Sequence, residues 1–432
     1  MQAKRLGKQQ NSRELLDRLR PLRKLDNVTN LIYLAADYLS LAIIIGAAVA
    51  FFELRAGWGL SWMWTVPAAA FAIVLVGALQ HRLAGLGHEA AHYILLNNRV
   101  ANELISDLLC MFPIFAVTHQ YRLVHMAHHQ YTNDWRRDPD LTNIGKSKLM
   151  DQFPMTRARF VYNYYVRFFL PHVLLRYLLD VLYLSALGRG VSPYLEGAGG
   201  DRSDSGARTV RWTSVLGALY VAGLVAVMVV ANRRGAGVWD LTALAGIAFG
   251  LAALVVVRLP SSAFFQAPLK PIYSTKVTNV LRLAYYTGLV ASFAVLRAVT
   301  GRNWGGYFAL LWVVPLLTTF AYFMLLRDVY QHANADEGKL TNSRVFFCDP
   351  FTRWAVFVYG MDMHTPHHMF PAIPHYNLPK AHRLLQQYSA EYSRYVIECH
   401  GTFRNRVGKP TILDVMYDPT REPDLADQAA GA

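Results

Sequence analysis

Eight of the fifteen histidines in this chain fall in three short windows: His88-Glu89-Ala90-Ala91-His92, His125-Met126-Ala127-His128-His129 and His364-Thr365-Pro366-His367-His368. Neutral imidazole is a good ligand for first-row transition metals, and helical residues three or four apart share a face, so each window reads as a chelating fork. On a helix His88 and His92 lie about 40° apart, one turn from each other. In the two HxxHH windows the outer pair shares a face while the adjacent pair diverges by about 100°, so neighbours can serve different metals. Two HxxHH copies and one HxxxH together point to a two-metal site. The first window also fits HExxH, the zinc-hydrolase pattern in which Glu89 acts as general base. One zinc needs only three protein ligands, however, and leaves the other two windows unexplained. His81, seven residues before His88 on the same stripe, lies about 10 Å deeper, where a hydrogen-bonded bundle residue competes with a functional role.

The elements that must carry these windows are membrane helices. The 432-residue chain is 53% hydrophobic and 17% charged, with a positive mean hydropathy, and several apolar runs approach spanning length. Candidate spans are Leu31–Phe52, Trp62–Leu83, Ser214–Ala231, Leu241–Val257, Leu281–Val299 and Tyr307–Leu326. The third and fourth are slightly short and also fit a re-entrant hairpin, giving four or six spans. The predicted fold is all-α, a polytopic bundle capped by a cytosolic helical domain that carries the histidines. Three domains follow: a basic amphipathic segment at 1–30 lying on the membrane, a membrane domain at 31–385, and a cytosolic tail at 386–432. Phe160–Leu187 reads as an interfacial helix, Gly188–Arg208 as a flexible loop and the stretch after Asp418 as disordered.

Charge fixes the expected orientation. The formal charge is +14, but the basic residues form no nucleic-acid module and the chain is too apolar for one, which excludes nucleic acid as a partner. With six spans and a cytosolic N-terminus, only Arg55, Arg233, Arg234, Arg297 and Arg302 of the 43 Lys and Arg residues fall outside, in line with the positive-inside rule. An even number of spans separates the second window from the third, so all three windows and both termini face the cytosol. Cys110, Cys348 and Cys399 form no CxxC pair, so no disulfide framework or iron–sulfur site is encoded.

Beyond the windows, Tyr121-Arg122-Leu123-Val124-His125 through His129-Gln130-Tyr131-Thr132-Asn133-Asp134, then Asp138-Pro139-Asp140-Leu141, form an extended motif. Phe370-Pro371-Ala372-Ile373-Pro374 and Leu378-Pro379-Lys380-Ala381-His382 follow the third window. In these features the sequence resembles the membrane fatty acid desaturase and hydroxylase superfamily, the histidine-box non-haem di-iron enzymes, over about residues 31 to 385. The resemblance implies two iron ions held by His88, His92, His125, His128, His129, His364, His367, His368 and one further histidine after the last span. His332, in Asp328-Val329-Tyr330-Gln331-His332, occupies that place. Some members have Asn where Asp328 stands, binding a metal-bound water, so Asp328 either ligates directly, orients a histidine or is a residue at a helix end. Glu89, Asp134, Asp138 and Asp362 are candidate carboxylates behind the ligating rings, which normally donate their other N–H.

An unactivated methylene has no acidic proton and no leaving group, so acid–base or nucleophilic chemistry cannot attack it. The resemblance implies an oxidase that uses O2 and iron to remove a hydrogen atom, most naturally to desaturate a fatty acyl chain. Hydroxylation or monooxygenation, and desaturation of a carotenoid or a small amino-acid-like molecule, are the alternatives within the superfamily. The remote ones are an HExxH membrane zinc protease and a receptor-like protein with one structural zinc, which would close with four ligands. No haem, flavin or iron–sulfur module is visible, so an external donor of the ferredoxin, rubredoxin or cytochrome b5 type is expected on the basic cytosolic face. The expected membrane is a bacterial plasma membrane, with the endoplasmic reticulum second, since Gly431-Ala432 is no retention signal.

Overall fold

The computed structural model describes residues 13–144, 152–185, 204–264, 266–404 and 408–418. Six of its helices are long and apolar enough to cross a membrane. The first two are α1 (Thr29–Leu54) and α2 (Trp62–Ala91), and α2 runs straight into the first histidine box. An elbow follows, in which α3 (Arg99–Ser106) and the turns to Ile114 meet α4 (Thr118–Tyr131) at 87°, and α4 carries the second box. Short α5 (Pro139–Ile144) and the surface helix α6 (Pro171–Ser185) lead to three spans: α7 (Asp204–Arg233), α8 (Val238–Arg258) and α9 (Thr275–Thr300). The sixth span, α10 (Trp304–His332), ends on its own histidine, and α11 (His364–Met369) holds the third box.

The helices of the third and fourth candidate spans are long and apolar enough to cross a membrane. Their spanning stretches are 22 and 21 residues, because the helices continue beyond the apolar runs to Trp212 and Arg258, whose amphipathic side chains suit the membrane boundary. Six crossings keep the parity that brings the three boxes to one end of the bundle. At the opposite end Arg302 pairs with Glu53 at 3.4 Å, joining the turn before α10 to α1.

Spans α2 and α10 form the spine of the site. Gly77 lets them touch: a Cβ there would sit 2.0 Å from Thr319 Oγ1 and 2.8 Å from the Phe320 nitrogen. Thr319 instead donates its hydroxyl to the Ile73 carbonyl at 2.8 Å. Within α10, wide π-turns at Ala309–Val313 and Leu316–Phe320 flank Pro315, which has no N–H to continue the helical ladder. Gln80, fully buried in α2, donates to the Trp312 carbonyl at 2.8 Å.

The cap over the box-bearing end is helical apart from one small parallel sheet, in which Val345–Phe347 pairs with Glu398–His400. The apolar face of the N-terminal segment, expected to rest on lipid, packs on protein instead: Leu19 and Leu22 are buried with Leu378, Leu385 and Tyr392. Amphipathicity demands an apolar partner without specifying which. Ile412, Leu413 and Met416 are buried in the main core beside Phe160 and Tyr330, so residues beyond 385 are packed into the same unit as far as the described chain extends. α6 buries Val173 and Tyr177 and exposes Leu175 and Leu179, an arrangement that suits an interfacial helix. Most of the Gly188–Arg208 stretch lies outside the described residues, although α7 already begins at Asp204. The stretch after Asp418 also lies outside them.

Candidate metal centre

Nine imidazoles from four helices converge in two groups. His88, His92, His125, His129 and His367 form one, and His128, His332, His364 and His368 form the other. Within each group the candidate ligand atoms lie within 4.8 Å of one another. Helix geometry makes the division: adjacent His128 and His129 on α4 point into different groups, as do adjacent His367 and His368 on α11. The groups are neighbours, because the His129 and His368 rings stack at 4.2 Å.

In the five-histidine group, His125 Nε2 lies 2.8 Å from His92 Nε2 and 3.0 Å from His129 Nε2. His129 Nε2 is also 3.1 Å from His367 Nε2. Both ring nitrogens of buried His88 lack a hydrogen-bond partner. In the four-histidine group, His364 Nε2 lies 2.8 Å from His332 Nε2 and 3.0 Å from His368 Nε2. Three rings here have their proton placed on the far nitrogen. His128 Nδ1–H donates to Asp138 at 3.0 and 3.1 Å, His332 Nδ1–H to the Asn342 carbonyl at 3.0 Å, and His368 Nδ1–H to Thr132 Oγ1 at 3.2 Å. Thr132 in turn donates its hydroxyl to the His128 carbonyl at 2.7 Å.

A neutral imidazole has one donor and one acceptor nitrogen. With Nδ1 protonated, the Nε2 atoms of His332 and His368 present lone pairs towards His364 Nε2, a set of acceptors that suits a cation among them. Burial, then the neighbouring rings, hold His364, His367 and His368 well below the ordinary imidazole pKa, and burial holds His92 at about 3. These rings are neutral and ready to ligate. His128 differs: burial pulls it down, but Asp138 and Asp140 outweigh burial and push it up to about 9. All-imidazole donor sets suit iron, zinc, copper or nickel.

The other candidates fall in different places. Asp138 also accepts the Asn133 and Asp140 amides at 2.8 and 3.0 Å, so the turn after box two holds it against His128. Glu89 is turned away from the rings and accepts the His375 amide at 2.9 Å, with His88 Nδ1 no nearer than 3.7 Å. Asp134 caps its own turn and pairs with Arg137. Asp362 pairs with Arg353 at 3.0 Å. Asp328 belongs to neither group, since its carboxylate takes Arg327 Nη2 at 2.7 Å and Nε at 3.1 Å. His81 donates Nδ1–H to the Ala355 carbonyl at 2.8 Å and stands outside both groups. Sequence reasoning missed Thr132, the Asn342 carbonyl and Asp140, whose carboxylate lies 3.2 Å from His128 Nδ1. Only Asp140 left a signal, two residues after Asp138 in the acidic turn.

Six long apolar helices under two imidazole clusters define the class: a polytopic membrane protein with a candidate two-metal centre. The fatty acid desaturase family profile matches residues 63–265 and 241–400, and the chain belongs to that family, with its histidine-rich di-iron-binding motifs. It is similar to dihydrorhizobitoxine desaturase of Bradyrhizobium elkanii, 24% identical over 433 aligned residues that cover 98% of this chain and 94% of that protein. It is also similar to the acyl-lipid (9+3)-(E)-desaturase of Dimorphotheca sinuata, 29% identical over 140 residues, 30% of this chain and 36% of that protein.

Proposed function

We propose that this protein is an O2-dependent desaturase of an acyl chain, with an iron ion in each imidazole cluster. The reaction removes two hydrogens from a CH2–CH2 unit while O2, two electrons from an external donor and two protons become two waters. The supporting observation is the convergence of nine buried or half-buried imidazoles, five and four, at one end of the membrane bundle. Iron supplies the O2 activation and the abstraction of hydrogen from an unactivated carbon, which no side chain can perform. The protein's part is to hold the rings. His128, His332 and His368 each keep their proton on Nδ1, through Asp138, the Asn342 carbonyl and Thr132, and this leaves Nε2 free for metal. His88, His92, His125, His129 and His367 would hold the second ion, and burial of both clusters would keep bulk water from the reacting carbon.

The box-bearing end sits at the membrane boundary, on the side we assign to the cytosol from the Lys and Arg distribution, where a lipid- or carrier-linked chain can reach it from the bilayer. A second reading is favoured by one observation. The relative matched along nearly its whole length is named for dihydrorhizobitoxine and not for an acyl lipid, whereas the acyl-lipid relative matches over a third of its length, which favours a small amino-acid-like substrate as the second reading. Mass spectrometry of acyl lipids and of the soluble amino-acid pool tests both, comparing cells that express wild type with an electron donor against His129→Ala. Lipids lighter by two hydrogens support the acyl reading, and a gain of oxygen makes the protein a hydroxylase. A change confined to the soluble pool supports the second reading. No change in either pool, with folded and iron-loaded protein, refutes both.

A further inference from the structure

We infer that each metal cluster is held in register by one buried arginine that ties down the end of a ligand-bearing span: Arg122 for the five-histidine cluster and Arg344 for the four-histidine cluster. The inference rests on the two-metal reading above.

Both spans stop on a ligand. α2 ends with His92 as its final cap, and Tyr93 then turns back with φ of 60°. α10 ends with His332, followed by Ala333 in extended backbone. The last carbonyls of a helix have no partners within it, so the last turn is where it frays. A ligand in that turn is therefore placed by whatever binds those carbonyls.

At α2 the Ala91 carbonyl is taken by Arg122, which is fully buried, and the Ala90 carbonyl by Arg122 together with Asn102 Nδ2 at 3.1 Å and the Tyr93 amide at 3.0 Å. Arg122 Nε donates to the Ala91 carbonyl at 2.9 Å and Nη2 to the Ala90 carbonyl at 3.0 Å, both between His88 and His92. The same guanidinium grips Glu103 through Nη1 at 3.0 Å and Nη2 at 2.5 Å, and lies 4.0 Å over the Tyr93 ring. Arg122 is on α4, one turn before His125, so a single planar group locks box one to box two. At α10 the group is Arg344, also fully buried. It donates to the carbonyls of Tyr330 at 2.8 Å, Ala333 at 2.5 Å and Asn334 at 2.9 Å, bracketing His332. Asn342, whose carbonyl receives His332 Nδ1–H, is two residues away. Several fixed donors in one plane are what guanidinium offers and ammonium does not.

These are positioning residues, and their signature is selectivity between the two ions. Arg122→Lys and Arg344→Lys keep the charge and lose the fork. Iron per folded chain is measured during chelator challenge, with Mössbauer spectra to separate a five-nitrogen from a four-nitrogen site. Arg122→Lys is expected to speed loss from the five-histidine site alone by roughly 10- to 100-fold, the usual effect of removing a group that orients ligands, and Arg344→Lys to do the same at the other. Glu103→Gln, which leaves Arg122 its carbonyl contacts, should give a smaller loss confined to the five-histidine site and serves if Arg122→Lys does not fold. Wild-type loss rates in all three variants, or equal loss of both ions, overturn the inference. Wild-type protein that holds no two irons overturns the metal reading itself, and this one with it.

Discussion

Asp138→Asn isolates the support of one ligand. Asp138 is buried, and both its oxygens sit 3.0 to 3.1 Å from the His128 Nδ1–H. A hydrogen bond to a charged acceptor contributes about 1.5–3 kcal/mol, and about 1.4 kcal/mol is a factor of ten in affinity. Removing the charge should therefore weaken the four-histidine site by roughly 10- to 100-fold, the range seen when such partners are removed elsewhere. The carboxylate accepts the Asn133 amide on Oδ2 and the Asp140 amide on Oδ1, so asparagine keeps one of these two turn contacts and loses the other. The five-histidine group does not contain His128 and should be untouched. The assay is metal content by plasma mass spectrometry after graded dialysis against a chelator. Wild type should keep two irons per chain where Asp138→Asn keeps one. Retention of both irons across the chelator series would refute the idea that this carboxylate sets the His128 ring.

Further outcomes follow from the same geometry. Asp328→Asn should keep both irons, because the carboxylate is taken up by Arg327; loss of one iron would make Asp328 a ligand. Glu89→Gln should retain most activity, since its amide oxygen can still accept the His375 amide, whereas loss of turnover with both irons retained would restore a proton-transfer role. Gly77→Ala should destabilise the bundle by about 1–3 kcal/mol through overpacking against Thr319, seen as a lower Tm in detergent. Gly46→Ala, where a Cβ meets nothing within 4 Å, is the control and should not lower it. In chelator-stripped protein, His128 raised to about 9 contributes stability that is full below the unfolded value of about 6.5 and lost as pH climbs through the folded one. The Tm gap between stripped wild type and Asp138→Asn should therefore narrow over that window, and a gap that widens would contradict the assignment.

What the sequence could and could not disclose follows from how local each feature is. The boxes were legible because a ligand pair three or four residues apart is a property of one helix. His332 stands alone on α10 and has no such partner, so only family resemblance pointed to it. The spans were legible as apolar runs, but the third and fourth looked short because hydropathy ends before the helix does. Arg122, Thr132 and Asn342 were not legible at all. Their roles exist only where two distant segments meet, as when a residue of α4 reaches the last carbonyls of α2.

The HExxH pattern shows how the same locality misleads. Sequence places Glu89 one residue after His88, and any catalytic reading assumes that the carboxylate and the imidazoles share a site. One residue on a helix is a turn of about 100°. In the zinc-hydrolase pattern the helix supplies two of three protein ligands, and the glutamate acts as general base on the water in the open position. Here α4, α10 and α11 bring seven more imidazoles onto the His88 and His92 face, and Glu89 is left on the flank that packs against residues 373 to 376. There it accepts a backbone amide from the segment after box three. The carboxylates that reach a ligating ring are Asp138 and, at 3.2 Å, Asp140, ten and twelve residues after His128 and returned to it by the turn that follows α4. Proximity in sequence and proximity to the metals have thus exchanged places, and the orienting acid sits on the box whose ring points towards the second cluster.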